Sequence, residues 1–435
     1  MDDLTLSGVV LGLLIVAMLL RVPVGVALGG LSFAGIWAML GPRVAWGTLT
    51  SMPYDFISHW TLSSVPMFLL MGYICFHSQL TDGLFRVARA WLSWMPGGLA
   101  VASVGAAAGF SAVTGSSLAC AAAMGRIAIP EMLRSNYQPG LAAGTVAVAG
   151  TIGSMIPPSI LLLVYGIYAE LPISKLFIAG VVPGLLTAVL YAAMIVTRVK
   201  LNPSLAPRID EKVTWADRFG AFRGTWPVLV LIFGVFGGLF GGVFTPTEAG
   251  GIGALLAFVI GFAQRTLTWD KIKLAITETL VTTGSIFIIA IGALLLTRFL
   301  ALSGFTDFIS GVVIEGQISP MMLVLGTMAV LLFLGCFLDP IGIMLLTLPV
   351  FLPAVEKLHV DLIWYGILLT KLLEIGLITP PVGLNVFVIK GIVGDTIPIE
   401  TIFRGILWFL VADLICVALL VAFPQIATYL TTLVN

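Results

Sequence analysis

The chain has 435 residues, of which 59% are hydrophobic and 10% charged, and its 21 basic residues balance 21 acidic ones. Soluble domains carry about 25% charged residues, so this chain cannot cover a water-facing surface. The composition predicts an integral membrane protein, and the absence of net charge argues against nucleic acid as a partner.

Apolar runs recur along the whole chain, beginning with LSGVVLGLLIVAMLL at residues 6–20 and including PVLVLIFGVFGGLFGGVF at 227–244. Runs of about 20 apolar residues span a bilayer as helices, and these are continuous rather than alternating as barrel strands are. Asp2 and Asp3 precede the first run, where a signal peptide would carry basic residues, so we expect a retained helix. The expected fold class is an all-α polytopic membrane protein.

Motifs of enzymes are not visible in the sequence. The four cysteines and three histidines are scattered, without Cys-x-x-Cys spacing. There is no Walker loop and no Gly-x-Ser-x-Gly motif. We therefore expect no catalytic residues, no cofactor and no transition-metal site, and the chain is not expected to be an enzyme.

The segment between Pro96 and Pro130 carries a polar TGSS near its middle. Divided there, each arm has about 14 residues, or roughly 21 Å of helix, against about 30 Å of hydrocarbon. We predict a re-entrant helical hairpin over residues 97–129, whose tip lies inside the protein or against a watery cavity. One long helix with a Ser-rich kink is the alternative.

Two adjacent prolines interrupt the next apolar segment, TIGSMIPPSI. Proline has no N–H to donate and clashes with the carbonyl four residues back, so the pair predicts a broken helix over about 140–168. The carbonyls of Gly153 and Ser154 lose their usual donors and need water, a hydroxyl or a cation instead. Nearby side chains also offer oxygen atoms: Thr151, Ser154 and Ser159.

The longest polar stretch is RVKLNPSLAPRIDEKVTWADRFGAFRG at residues 198–224. By the positive-inside rule it should be cytoplasmic, and we interpret it as a solvated linker. Its six basic residues are Arg198, Lys200, Arg208, Lys212, Arg218 and Arg223.

The proline pair returns as EIGLITPPVG at residues 374–383, at an offset of 223 from Pro157 to Pro380. Four proline matches share this offset, where chance predicts about 0.6. The chain is therefore interpreted as two copies of one unit, which we expect to be inverted-topology repeats, and a second broken helix is predicted over about 361–394. Other matches at the same offset are Pro23 with Pro246, Gly30 with Gly253, Trp46 with Trp269, Pro130 with Pro353, and Gly153 with Gly376.

A second re-entrant hairpin is predicted over residues 320–352, with LDP near its middle. Ser116 of the first tip and Asp339 of the second occupy equivalent repeat positions. Both side chains are good N-caps for the second arm of their hairpin. The N-termini of half-helices are also anion sites, so capping and ligand binding are compatible roles.

Four charged residues stand in apolar surroundings. Lys371 and Glu374 are three residues apart on one helix, which favours an internal ion pair. Lys390 and Arg126 are expected to snorkel to a membrane interface. Contact with a substrate carboxylate is the alternative role for each of the four.

The motifs TGSSLACAAAMG, GTIGSMIPPSILLLVYG, LDPIGIMLLTLPVFLP and GLITPPVGLNVFVIKGI resemble the large membrane subunit of tripartite ATP-independent periplasmic (TRAP) transporters. The likeness covers nearly the whole chain. It implies an elevator-type symporter of the bacterial inner membrane, with a fixed scaffold and a moving domain that carries both hairpins. Such subunits import organic acids on a Na⁺ gradient. Their partners are a small four-helix membrane subunit and a periplasmic substrate-binding protein.

Carried onto this chain, the resemblance implies two Na⁺ sites, with the substrate between the two tips. The first Na⁺ site would comprise Ser116, Ser117, Thr151, Gly153, Ser154 and Pro157. The second would comprise Asp339, Gly376, Thr379, Pro380, Gly383 and Asn385. The substrate residues would be Thr114, Gly115, Ser116, Ser159, Asp339, Pro340 and Asn385.

The same resemblance divides the chain into seven segments. Residues 1–61 and 225–280 are the expected scaffold helices. Residues 62–170 and 281–394 are the expected halves of the transport domain. An arm helix (171–197), the cytoplasmic linker (198–224) and a C-terminal arm and helix (395–435) complete the chain.

Three other functions fit the sequence less well. A stand-alone divalent-anion/Na⁺ symporter has a similar hairpin plan and needs no binding protein, but its Ser-Asn-Thr tip motifs are absent here. A channel has little use for two mobile hairpins. A membrane enzyme would need a nucleophile–base pair or a metal cluster.

Overall fold

Helices make up nearly all of the computed structural model, which describes residues 2–207 and 214–433. No strand occurs within those two ranges. Continuous apolar sequence favours this result, because a helix pairs its own backbone groups and needs no water to do so. Arg208 and Lys212 of the predicted linker lie outside the described residues.

The N-terminal half of the chain, up to residue 201, contains ten α-helices. They are α1 (Asp3–Leu19), α2 (Val24–Leu40), α3 (Pro42–Ser58), α4 (Ser64–His77), α5 (Asp82–Leu92), α6 (Gly98–Thr114), α7 (Ser117–Arg134), α8 (Pro139–Ala149), α9 (Ile160–Tyr168) and α10 (Ile173–Leu201).

A short linker helix, α11 (Trp215–Ala221), is followed by the helices of the C-terminal half. They are α12 (Trp226–Phe240), α13 (Pro246–Ala263), α14 (Trp269–Leu302), α15 (Phe305–Glu315), α16 (Pro320–Gly335), α17 (Pro340–Lys357), α18 (Leu362–Gly376), α19 (Leu384–Val393), α20 (Ile399–Ala422) and α21 (Gln425–Thr428).

Six helical segments in the described ranges are long and apolar enough to cross a membrane. A seventh is added if residues 215–240, bent by 64° at one point, are counted as one span. The six segments are Trp60–His77, Ile173–Leu201, Pro246–Ala263, Trp269–Leu302, Pro340–Lys357 and Ile399–Ala422.

The helices run further than the prolines in the sequence suggested. Pro130 and Pro353 were expected to end the two hairpins, but they lie inside α7 and α17. A proline removes only one backbone bond, and neighbouring helices re-satisfy the freed group. The arms α6, α7, α16 and α17 therefore have 17, 18, 16 and 18 residues. At about 1.5 Å per residue, each arm is shorter than about 30 Å, although α17 is also one of the six candidate spans.

Several predicted segment boundaries do not coincide with a helix end. The scaffold of the C-terminal half was expected to end at residue 280, but α14 runs without interruption from Trp269 to Leu302. This 34-residue helix contains no proline, so no strong local signal ends it at residue 280. The predicted linker also begins too early, at residue 198, because α10 continues to Leu201.

Glycines allow α8 and α20 to pack at backbone contact. A Cβ at Gly405 would lie 1.9 Å from the carbonyl oxygen of Gly140, and one at Gly144 would lie 2.8 Å from the Gly405 carbonyl carbon. Small residues at helix crossings take this role in membranes, where hydrophobic burial does not drive helix association. This contact joins the C-terminal α20 to the helix that enters the first break.

Substitution of Gly405 by Ala should lower the thermal stability of the detergent-purified protein. The added methyl meets backbone, which cannot rotate away, so we expect a cost of about 1–3 kcal/mol. Thermal denaturation of the variant and the wild type measures this loss of stability. Gly391→Ala is the matched control, since a Cβ there meets nothing within 4 Å. Equal melting temperatures for the two variants would contradict this helix packing.

Candidate functional site

Two helix interruptions face two short helix-to-helix connections. Break 1 is residues 150–159, between α8 and α9, and break 2 is residues 377–383, between α18 and α19. Tip 1, residues 115–116, joins α6 to α7, and tip 2, residues 336–339, joins α16 to α17. The peptide bonds between the paired prolines of both breaks are cis.

A direct backbone hydrogen bond joins the end of break 1 to tip 1. The Ile160 N–H, at the end of the break, donates to the Gly115 carbonyl across 3.3 Å. Gly115 has φ +63°, and a Cβ on it would lie 2.0 Å from the Pro158 carbonyl oxygen. Glycine is therefore required here by conformation and by space. A Cβ on Gly153 would likewise lie 2.9 Å from the carbonyl group of Ser116.

Break 2 and tip 2 meet in a similar way. The Val382 N–H donates to the Cys336 carbonyl across 3.3 Å. Directly beside them, Gly376 and Gly335, the last residues of α18 and α16, touch through their backbones, since a Cβ on Gly376 would lie 2.7 Å from the Gly335 Cα. Asp339 ends tip 2, where its carboxylate accepts from the Gly342 N–H at 2.8 Å and so caps α17.

Several carbonyls near the two breaks, which lack the usual helical N–H donor because of the prolines, accept hydrogen bonds from other groups of the protein. The Ser159 hydroxyl donates to the Ser154 carbonyl at 2.5 Å. The Thr379 N–H donates to the Gly376 carbonyl, and the Asn385 N–H donates to the Leu377 carbonyl. Each carbonyl oxygen has a second lone pair, so these bonds leave room for a cation.

A buried polar cluster lies where break 1 meets tip 1. The Ser117 hydroxyl donates to Glu374 Oε2 at 2.6 Å and lies 2.8 Å from the Ser154 hydroxyl. Ser117 and Ser154 are 3% and 4% exposed. Glu374 belongs to α18 of the C-terminal half, so the cluster joins the two halves of the chain.

The expected ion pair between Lys371 and Glu374 is wrong. Lys371 Nζ donates instead to Asp413 Oδ1 of α20 at 2.6 Å. The Tyr191 hydroxyl donates to the same oxygen at 2.5 Å and lies 3.1 Å from the Thr151 hydroxyl. The sequence reasoning missed Tyr191 and Asp413. A single acid within the apolar FLVADLICV run was the available signal.

The remaining polar residues predicted for the sites bond mostly to nearby backbone, and Asn385 is the exception. Thr151 donates to the Val148 carbonyl, Thr379 to the Ile375 carbonyl and Thr114 to the Phe110 carbonyl. Asn385 is buried, and its Nδ2 donates to the Ala147 carbonyl across 3.1 Å, a second link between the halves. Pro157 lies in break 1, Pro380 and Gly383 lie in break 2, and Pro340 is the first residue of α17.

A cleft of about 580 Å³ runs between the two tips. Most of its wall is apolar. Glu278 also lies on this wall and pairs with His77 at 2.8 Å, a contact that the sequence reasoning missed. Thr114, Ser159 and Asn385 are not part of the wall. The polar and tip residues that line it include Gly115, Ser116, Ser117, Ser154, Asp339, Pro340 and Glu374.

Lys390 and Arg126, expected to snorkel, have contacts of their own. Lys390 Nζ donates to the Gly394 carbonyl at 2.5 Å and lies 3.6 Å from Asp395. The Arg126 guanidinium carbon lies 5.7 Å from the centre of the Phe76 ring. Neither residue lines the cleft between the tips.

An all-helical membrane protein with two interrupted helices around a central cleft has the architecture of a membrane transporter. Residues 11–426 match the family described as the tripartite ATP-independent periplasmic transporter, DctM component. The chain belongs to this family. It is therefore a large permease subunit of a TRAP transporter, a multi-pass protein of the bacterial inner membrane and not an enzyme.

Relatives agree with this assignment, and a solved structure shares the fold. The chain is 37% identical to the C4-dicarboxylate TRAP transporter large permease of Pseudomonas aeruginosa, over 86% of this chain and 87% of that one. It is 31% identical to the ectoine TRAP transporter large permease of Halomonas elongata, over 98% and 99%. Its fold is similar to that of the Alcanivorax borkumensis YdaH transporter, with a TM-score of 0.64, 15% identity and coverage of 97% and 99%.

Proposed function

We propose that this permease imports small organic anions by secondary active transport coupled to Na⁺. The observation that carries the proposal is the pairing of each helix break with a helix tip. Both junctions place carbonyl, hydroxyl or carboxylate oxygens together at a point where the helix is interrupted. Hard monovalent and divalent cations prefer such oxygen ligands.

One Na⁺ would bind at each junction. The first site would use Ser116 of tip 1 and Ser117 at the start of α7, with the backbone of break 1. The second would use Asp339 with the backbone near Gly376 and Pro380. Because α7 and α17 begin at the two tips, their N-termini would favour an anionic substrate in the cleft between them.

The proposed mechanism is an elevator movement of a domain that carries both tips and both breaks. Backbone bonds from Ile160 to Gly115 and from Val382 to Cys336 tie each break to its tip. The Ser117–Glu374 and Asn385–Ala147 bonds tie the halves together. These contacts support movement as one body. The short arms α6, α7 and α16 support re-entrant hairpins, and the shared offset of 223 residues supports two repeats, whose topology we propose to be inverted.

The proposed partners are a small membrane subunit, a periplasmic binding protein and the lipid bilayer. The binding protein would deliver the substrate and select it. The Pseudomonas aeruginosa relative is described as a C4-dicarboxylate permease, which makes C4-dicarboxylates the first class to test, followed by sugar acids and keto acids.

Reconstitution tests the proposed function. The permease and its small subunit are placed in liposomes, and uptake of labelled substrate is followed under an imposed inward Na⁺ gradient. We expect accumulation that requires both the gradient and the binding protein. Accumulation without the binding protein would point to a stand-alone symporter. Flux that ignores the Na⁺ gradient would contradict Na⁺ coupling.

Asp339→Ala should weaken the Na⁺ dependence of uptake without unfolding the protein. The variant removes the only carboxylate in the second proposed site, so the Na⁺ concentration for half-maximal uptake should rise by about 10-fold. Ser116→Ala should act in the same direction and less strongly. Uptake is measured against Na⁺ concentration, with melting temperature as the folding control. Wild-type Na⁺ dependence in both variants would mean that the tip residues only cap helices.

A further inference from the structure

Glu374 is a fully buried carboxylate that reaches from one half of the chain into the other. It lies on α18, two residues before the Gly376–Gly335 contact, and it is 0% exposed. Its Oε2 accepts from the hydroxyl of Ser117 in the N-terminal half at 2.6 Å. That hydroxyl is in turn 2.8 Å from the hydroxyl of Ser154.

The second carboxylate oxygen of Glu374 has no hydrogen-bond partner among the described residues. Lys371, one helical turn earlier, forms its ion pair with Asp413 at 2.6 Å and not with Glu374. An isolated carboxylate in a low-dielectric interior is costly unless a cation or several donors accompany it. The carboxylate is therefore placed where a positive charge would lower its free energy.

The surroundings of Glu374 fit a hard cation. Oε1 belongs to the same buried cluster as the hydroxyl oxygens of Ser117 and Ser154, and all three residues line the cleft. The residues predicted for the first Na⁺ site were neutral, and a monovalent cation among neutral ligands keeps its full charge inside the membrane. A carboxylate from the opposite half removes that charge.

We propose that Glu374 supplies the anionic ligand of the first Na⁺ site. The site then takes its ligands from both halves of the chain, and each of the two sites contains one carboxylate. This inference rests on the proposed Na⁺ coupling. It adds that Na⁺ at tip 1 and break 1 also holds α18 of the C-terminal half in place.

The test uses the full-length protein in complex with its small subunit. Binding of Na⁺ is followed as the rise in melting temperature when NaCl replaces choline chloride, since a ligand of the folded state stabilises it. Uptake in liposomes gives the Na⁺ concentration for half-maximal rate. Glu374→Gln keeps the size of the side chain and removes its charge, and Glu356→Gln makes the same change at an exposed site.

We expect Glu374→Gln to weaken Na⁺ binding by about 10-fold or more in both measurements, with Glu356→Gln like the wild type. If Glu374→Gln does not fold, Glu374→Asp carries the test, since it retracts the charge by one methylene and should also bind Na⁺ more weakly.

Two results would overturn the inference. A Na⁺-dependent wild type with unchanged Na⁺ affinity in the Glu374 variants would remove Glu374 from the site and leave the proposed function intact. A wild type that ignores Na⁺ in both stability and uptake would overturn the proposed function together with this inference.

Discussion

Lys371→Met is expected to destabilise the protein by about 3–5 kcal/mol, because it leaves a buried charge without its partner. Lys371 and Asp413 are 1% and 0% exposed and lie 2.6 Å apart. With the lysine removed, Asp413 retains only the Tyr191 hydroxyl as a donor among the described residues. A single neutral donor does not compensate a carboxylate in the interior of a membrane protein.

The double variant Lys371→Met/Asp413→Leu separates charge from packing. It replaces the ion pair by apolar groups, a change that is often neutral or stabilising in other proteins, and Tyr191 keeps its contact with Thr151. We expect it to recover most of the lost stability in thermal denaturation. Lys357→Met is the control, since Lys357 forms an exposed pair with Asp307, and such pairs contribute about 0–1 kcal/mol. Equal losses for Lys371→Met and Lys357→Met would contradict the buried pair.

Gly153→Ala and Gly376→Ala should each reduce Na⁺-driven uptake by about 100-fold, since displacement of a ligand by roughly 1 Å can have this effect. At Gly376 the new methyl would lie 2.7 Å from the Gly335 Cα and 2.9 Å from its carbonyl oxygen. At Gly153 it would lie 2.9 Å from backbone atoms of Ser116 and Ser117. Backbone cannot turn aside as a side chain can, so break 1 must separate from tip 1, and the ends of α18 and α16 that lead into break 2 and tip 2 must separate from each other.

Gly251→Ala is the matched control for both glycine variants. A Cβ at Gly251, within α13, meets nothing within 4 Å, and alanine is the better helix former. Its uptake should equal that of the wild type. Melting temperatures distinguish lost function from lost folding. Wild-type uptake in Gly153→Ala and Gly376→Ala would show that close contact between tip and break is not needed for transport.

Local chemistry made the helix interruptions predictable. Proline lacks an N–H, and two in succession affect neighbouring turns, so α8 and α18 end before their proline pairs whatever lies around them. The all-helical fold followed from continuous apolar runs in the same local way. The ends of α7 and α17 were less predictable, because a single proline such as Pro130 can be tolerated when neighbouring helices compensate.

Contacts between residues far apart in the sequence could not be predicted from sequence spacing. Lys371 and Glu374 are three residues apart, and the helical rule for neighbours favoured a pair between them. Their partners lie on other helices instead, Asp413 on α20 and Ser117 on α7. Which face of α18 meets which helix depends on the packing of the whole bundle, and no local pattern encodes it.

In the proposed mechanism, Na⁺ binds at both junctions between a tip and a break. The initial rate of substrate uptake, measured against external Na⁺ at a fixed membrane potential in liposomes with both partner proteins, tests it most directly. Two coupled sites predict a sigmoidal curve with a Hill coefficient between about 1 and 2, and no accumulation in choline. An uptake rate that is unchanged when choline replaces Na⁺ would contradict the claim.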